Sequence, residues 1–288
     1  MKYYIASVLL LVAMFVYFIS NHNEGNPVSY TESRIFKYSL EVSNNTNKLI
    51  DDGRVWVYAP NTITSFQKVD FIKPSEEHQV EIDKNGNYLL KFPISELPPY
   101  GSRNISITAS MLISKPANSI EQKNIDTFLN QDRFIESEDP KIITIAKQLK
   151  GDGDQETLRN IYDWILNNVV DSGYQQKAMG ALAALNSRQA DCTEFMYLFV
   201  ALSRASGIPS RPVSGFYYMD SARLKASDYH DWAEVYVDGY WRIVDPQKKH
   251  FMNNENNYLA MRVASADAGR SSEVVHGFFG SNGVHVAM

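Results

Sequence analysis

Two β-rich runs joined by Asp238-Gly239 constrain this chain more than any other stretch. The first runs from His230 to Val237 (HDWAEVYV) and the second from Tyr240 to Asp245 (YWRIVD). Asp-Gly between such runs predicts a hairpin with a two-residue turn. That turn pairs Val237 with Tyr240, which sets Trp232 opposite Asp245 and His230 opposite Gln247. Side chains alternate between faces, so His230, Trp232, Asp245 and Gln247 share one face. His230 and Asp245 become diagonal neighbours, about 7–8 Å apart at Cα, close enough for their side chains to meet. A bulge or an odd-length loop would break this register.

The chain holds a single cysteine, Cys192, in the segment Arg188-Gln189-Ala190-Asp191-Cys192-Thr193-Glu194-Phe195. From Phe195 the apolar residues Met196, Phe199, Leu202 and Ala205 recur at helical spacing, and Gly207-Ile208-Pro209 ends the run. Asp191 is placed as the N-cap. Cys192 then falls in the first turn, at the positive end of the helix dipole, where thiolate is favoured over thiol. A lone cysteine is more often a small buried hydrophobe. Together with His230 and Asp245, however, it supplies a nucleophile, a base and an orienting acid. The imidazole takes the thiol proton and later returns it to the leaving group, and the carboxylate fixes the tautomer. Gln189 is a candidate side-chain donor to an oxyanion, beside the Cys192 backbone N–H. Trp232 either walls the cleft or packs the sheet, and packing is the commoner role.

These residues resemble the transglutaminase-like superfamily. The matching positions are Cys192 with Glu194 and Phe195; Gly207, Ile208, Pro209 and Arg211; His230, Trp232, Glu234, Val235 and Tyr236; Gly239 and Trp241; and Asp245 with Pro246. They span roughly residues 178–247 in the family's order and spacing. The resemblance implies a papain-like α+β fold, with helices packed on an antiparallel sheet, and a Cys192–His230–Asp245 triad. It leaves the reaction open, because the superfamily holds cross-linking enzymes, peptidases, amidases and members that have lost activity. Many members carry Gly just before the cysteine, where this chain has Asp191. A carboxylate there opposes thiolate formation unless it faces away as a cap.

The N-terminus predicts a location. Lys2 precedes an uncharged run from Tyr3 to Ile19, short for a spanning helix and long for a signal-peptide core. With no small-x-small cleavage site before Asn21, an uncleaved anchor over residues 1–20 is favoured over a cleaved signal. Lys2 on the near side places the body outside the cytoplasm, periplasmic or extracellular, on a single N-terminal pass. An unpaired cysteine in an oxidising compartment is a candidate reactive thiol.

A polar linker, 21–33, follows the anchor. Phe36, Tyr38, Leu40 and Val42 then alternate with polar residues, and turn signals separate five further strand candidates up to Ala109. Residues 34–113 are therefore expected to form a small all-β sandwich that spaces the chain from the membrane or holds a substrate or protein partner. Sequons at Asn44 and Asn104 are more commonly ordinary turn and strand residues. Residues 114–288 carry the catalytic part. Asp139-Pro140 and Asp154 start two helices, the second with the stripe Leu158, Ile161, Tyr162, Ile165, Leu166 and Val169. A third helix lies near Ala178 to Leu185. Val213 to Tyr218 and Tyr258 to Val263 are further strands, with a last one over Val284 to Val286 in a Gly/Ser-rich tail.

Composition narrows the function. A net charge of −5 and a pI near 5.7, with no basic run, make nucleic acid an unexpected partner. The six histidines show no ligand spacing with Cys or acids, so neither metal nor cofactor is expected. The expectation is a thiol-dependent amide-bond hydrolase or acyltransferase, a cysteine peptidase, amidase or transglutaminase, acting on a protein or peptide outside the cytoplasm. The alternative is a catalytically silent module for binding or assembly.

Overall fold

The computed structural model describes residues 29–122, 124–175, 177–264, 277–281 and 283–288. The expected membrane segment, 1–20, lies outside them. No described helix is long and apolar enough to cross a membrane.

Strands β1 (Glu32–Asn44), β2 (Gly53–Tyr58), β3 (Gln67–Pro74), β4 (Gln79–Ile82), β5 (Tyr88–Ile94) and β6 (Ser102–Ile113) come first. Helices α1 (Pro140–Gln148) and α2 (Asp154–Asn168) follow, then β7 (Val170–Asp171), α3 (Ala181–Ser187), β8 (Gln189–Ala190) and α4 (Cys192–Ala205). Next come β9 (Ser210–Tyr217), β10 (Ala222–Arg223), β11 (Tyr229–Val237), β12 (Tyr240–Asp245), β13 (His250–Phe251) and β14 (Tyr258–Val263). The chain closes with β15 (Phe278–Gly280) and β16 (Val284–Ala287).

The six early strands form two sheets, ordered β10-β1-β6-β3 and β15-β2-β5-β4, and β16 adds to β1. Their inward residues make the core: Phe36, Tyr38, Leu40 and Val42 of β1 meet Ile105, Ile107, Ala109 and Met111 of β6 and Val55, Leu90 and Phe92 of the facing sheet. This is the period-two pattern of the sequence turned into burial. Each such side chain contributes roughly 1.5–3 kcal/mol through its removal from water. Strands from the far end of the chain join these sheets, because β15 and β16 find open edges there on β2 and β1.

A third sheet, which carries His230 and Asp245, is antiparallel and ordered β13-β12-β11-β9-β14. The β11–β12 hairpin has the expected register, with Val237 opposite Tyr240 and Ala233 opposite Val244. Its turn residues Asp238 and Gly239 have φ of 54° and 85°, the two positive values that a primed turn requires. One face of the sheet, with Ala233, Val235, Val237 and Val244, packs against α1 to α4. On the other side Phe216, Leu259 and Met261 merge into the sandwich core. The sheet is thus a middle layer between helices and sandwich. Helix α4 runs through the centre of the helical layer, with Phe195, Met196, Leu198, Phe199, Val200, Ala201 and Leu202 all buried.

Candidate active site

Asp191 caps α4 as the sequence predicts. Its side chain accepts from the backbone N–H of Thr193 at 2.9 Å and of Glu194 at 3.4 Å. This fixes Cys192 as the first helical residue. The cysteine is half-buried. It lines a cavity of about 430 Å³ whose walls include His230, Gln247, Lys248, Tyr174 and Tyr218. A second cavity, about 330 Å³, touches Cys192 from the side of Thr193, Ser227 and Asp231.

His230 and Asp245 are joined. Nε2 of His230 lies 2.6 Å from Oδ2 of Asp245, and both residues are buried. The Asp245 carboxylate also accepts from the Lys248 backbone N–H at 3.0 Å and from the Tyr258 hydroxyl at 2.9 Å. Burial alone would push this carboxyl up. The hydrogen bond and charge of His230, helped by Lys248 and Tyr258, outweigh it and hold Asp245 below its ordinary value. An ionised carboxylate on Nε2 leaves the other ring nitrogen, Nδ1, for chemistry in the cavity.

Cys192 departs from the expectation of a favoured thiolate. Burial pushes its thiol well up, and the carboxylates of Asp231 and Asp191 push the same way. Hydrogen bonds from the Asp231 backbone and the Thr193 side chain pull down without compensating. The cap therefore orients Asp191 without removing its field from the sulfur. The Asp231 bond also seats the sulfur against β11, one residue from His230. Thr193 Oγ1 donates to Asp231 Oδ2 at 2.7 Å, tying the start of α4 to that strand.

Glu194 is fully buried. Its Oε1 accepts from the Met179 backbone N–H at 2.8 Å. Burial pushes this carboxyl up to about 8, and hydrogen bonding to Asp191 adds to the rise. Asp191 Oδ2 accepts from the Gln175 backbone N–H at 2.8 Å, so these two acids hold the segment before α3 against the site.

The other two candidates lie elsewhere. Gln189 is exposed on β8, outside the walls of both cavities. Trp232 is fully buried among Phe66, Val213, Ile243, Tyr258 and Ala260, with its ring 6.4 Å from that of His230. Gln247 lines the cavity and donates to Asp171 Oδ2 at 3.0 Å. Sequence reasoning assigned no site role to Asp231, Glu194 or Tyr258. Strand alternation carries a signal for Asp231, which faces away from His230 toward the helices. Tyr258 gives no local signal, because its contact spans 13 residues and two strands. Among the described residues no group of three His, Cys, Asp or Glu is arranged to hold a metal ion.

Residues 143–246 match the family model of the transglutaminase-like superfamily, so this part of the chain is a transglutaminase-like core. A candidate cysteine protease from Cytophaga hutchinsonii has a similar solved structure. Its TM-score is 0.58 at 20% identity, covering 89% of this chain and 90% of that one, and the likeness is one of fold. The periplasmic domain of TgpA from Pseudomonas aeruginosa aligns more weakly, with a TM-score of 0.40 at 14% identity over 73% of this chain and 69% of that one, and carries no argument. No curated protein matches the sequence.

Proposed function

We propose that the protein is a cysteine-dependent enzyme that attacks amide bonds of a protein or peptide outside the cytoplasm. Cys192 is the nucleophile, His230 the general base and Asp245 the orienting acid. The supporting observation is the 2.6 Å His230–Asp245 contact beside the cavity that Cys192 lines. The raised thiol shapes the mechanism. Cys192 rests neutral, and its proton passes to His230 as the sulfur attacks the amide carbon. The new C–S bond forms, the tetrahedral oxyanion collapses, and His230 returns the proton to the departing amine. The thioester is then resolved by water in hydrolysis or by an amine in acyl transfer. For a chain of this size with an N-terminal anchor we favour hydrolysis. The anchor reading also supports the placement outside the cytoplasm, since Lys2 precedes the uncharged run from Tyr3 to Ile19.

The alternative, a silent binding module, draws on one observation: burial and two carboxylates all disfavour the thiolate. Iodoacetamide alkylation of Cys192 across pH 4–10 separates the two. With His230 as base, the wild type reacts about tenfold or more faster than His230→Ala near neutral pH, a modest share of what general-base catalysis supplies. Equal rates in the two proteins at every pH would favour the silent module.

A further inference from the structure

We propose that Tyr258 and His250 are positioning residues for the His230–Asp245 pair, forming a chain of hydrogen bonds that sets the direction of the Asp245 carboxylate. The inference rests on the triad reading above. Its basis is the sheet itself. Strand β13 is one edge and sets His250 opposite Asp245, while β14 is the other edge and begins at Tyr258, paired with Tyr217. The chain crosses from one edge to the other in the seven residues between them. The Tyr258 hydroxyl from one edge therefore reaches the carboxylate that holds the base, and the His250 ring from the other edge reaches that hydroxyl.

The proton count fixes the directions. The Tyr258 hydroxyl lies 2.9 Å from Asp245 Oδ2 and 2.8 Å from His250 Nδ1. An ionised carboxylate only accepts, so the single hydroxyl proton goes to Asp245. The hydroxyl oxygen must then accept from His250, which places a hydrogen on Nδ1. Neutral His250 keeps an acceptor at Nε2, and Asn254 Nδ2 lies 3.4 Å from it. Burial holds His250 below its ordinary value, which keeps it neutral. The Asp245 carboxylate opposes that shift, while the positive charge of Lys248 adds to it.

The rings leave Tyr258 little freedom. Its centroid lies 4.9 Å from Trp232 and 4.9 Å from Tyr217. Oδ2 of Asp245 thus receives donors from His230 and Tyr258, and Oδ1 receives the Lys248 amide. A carboxylate fastened at both oxygens holds the imidazole in one orientation and one tautomer. A buried tyrosine hydroxyl needs a partner, and here that partner is the carboxylate that holds the His230 ring.

The test needs no substrate. Cys192 alkylation is measured on the full chain from pH 4 to 10, with thermal midpoints, for the wild type and for His230→Ala, Tyr258→Phe, His250→Ala and His250→Asn. Tyr258→Phe and His250→Ala are expected to slow alkylation about three- to tenfold near neutral pH. Tyr258→Phe removes a donor that lowers Asp245, so its acid limb moves to higher pH. Asn presents an amide N–H where Nδ1 stood, and His250→Asn is expected to recover the wild-type rate within about twofold. Wild-type rates and acid limbs in Tyr258→Phe and His250→Ala, with His230→Ala still slow, would overturn the inference and leave the triad standing. Slowing that tracks the thermal midpoint, with no recovery in His250→Asn, would overturn it as well. A His230→Ala profile identical to wild type would instead remove the triad reading.

Discussion

Glu194 shows how far one residue near Cys192 can depart from its surface behaviour. Its folded carboxyl titrates at about 8, against an ordinary value of 4.5. A raised carboxyl binds its proton more tightly in the folded state. The stability it contributes is therefore fully present below about 4.5 and is lost as pH rises through about 8. Glu194→Gln keeps an oxygen for the Met179 amide, carries no charge and offers Asp191 an N–H. It is expected to be more stable than wild type above pH 8 by about 1–2 kcal/mol, the scale of a buried polar group left unsatisfied. Urea midpoints of the two proteins at pH 5 and pH 9 check this: the gap should open with pH, and a gap independent of pH would refute it. At this scale the sequence reveals much. Cys192, its Asp191 cap and the His230–Asp245 contact follow from spacing and strand alternation. The charge state of Cys192 does not, because it depends on burial and on Asp231, which only the packing of α4 against β11 brings near.

Elements were legible wherever their determinants are local. The six sandwich strands and four helices follow from periodicity, caps and turn residues. The β11–β12 register followed from two residues, Asp238 and Gly239, whose turn demands left-handed backbone at both positions. Gly239→Ala forces a Cβ into φ 85° and is expected to cost about 1–2 kcal/mol. Because the turn aligns His230 with Asp245, the same substitution should also slow Cys192 alkylation. Chemical denaturation and the alkylation rate measured on one sample check both; lost stability with an unchanged rate would show that the turn is not what holds the pair in register. The short elements were not legible. Strands β7, β8, β10 and β13 are two residues each, and β15 sits in the Gly/Ser-rich tail. Strands β7, β8, β10 and β15 pair with segments far along the chain, and β13, which pairs with β12 a few residues before it, is too short to leave a periodic pattern. His250, in β13, belongs to this group, and Tyr258 is tied to it across the sheet. The part of the site that the sequence hid is thus the part built by a two-residue strand and by a contact between the two edges of the sheet.

At the scale of the molecule, the sandwich and the His230-bearing sheet are joined along β14, the edge whose first residue is Tyr258. An open edge strand leaves backbone groups unpaired. Here the sandwich supplies their partners. Gln67 of β3, fully buried, donates to the Ala260 carbonyl at 2.9 Å and accepts from the Ala260 amide at 2.8 Å. Asn87 does the same for Val263, at 2.9 and 2.7 Å. Arg34 of β1 donates to the carbonyls of Tyr218 and Asn256 at 3.1 and 2.9 Å, bracing the turn that delivers Tyr258. With Phe216, Leu259 and Met261 in the sandwich core as well, the two halves share both polar and apolar contacts. Gln67→Ala leaves the Ala260 amide without its acceptor, while the Ala260 carbonyl keeps the Asn61 N–H at 2.9 Å, so it is expected to cost about 1–3 kcal/mol. The loss should fall on the whole chain. Trp56 reports on the sandwich, and Trp232 and Trp241 on the His230-bearing sheet, so one fluorescence transition shifted to lower urea is the expected result. Hydrogen exchange should show reduced protection at the β14 amides first, because that edge loses its partners directly. A sandwich that only spaced the catalytic half from the membrane would behave differently. Gln67→Ala would then lower protection in β3 and β6 alone, leave the amides of β11, β12 and β14 unchanged, and leave Cys192 alkylation at the wild-type rate. Slower alkylation in Gln67→Ala would show that the sandwich sets the position of Tyr258, and through it the carboxylate that orients His230.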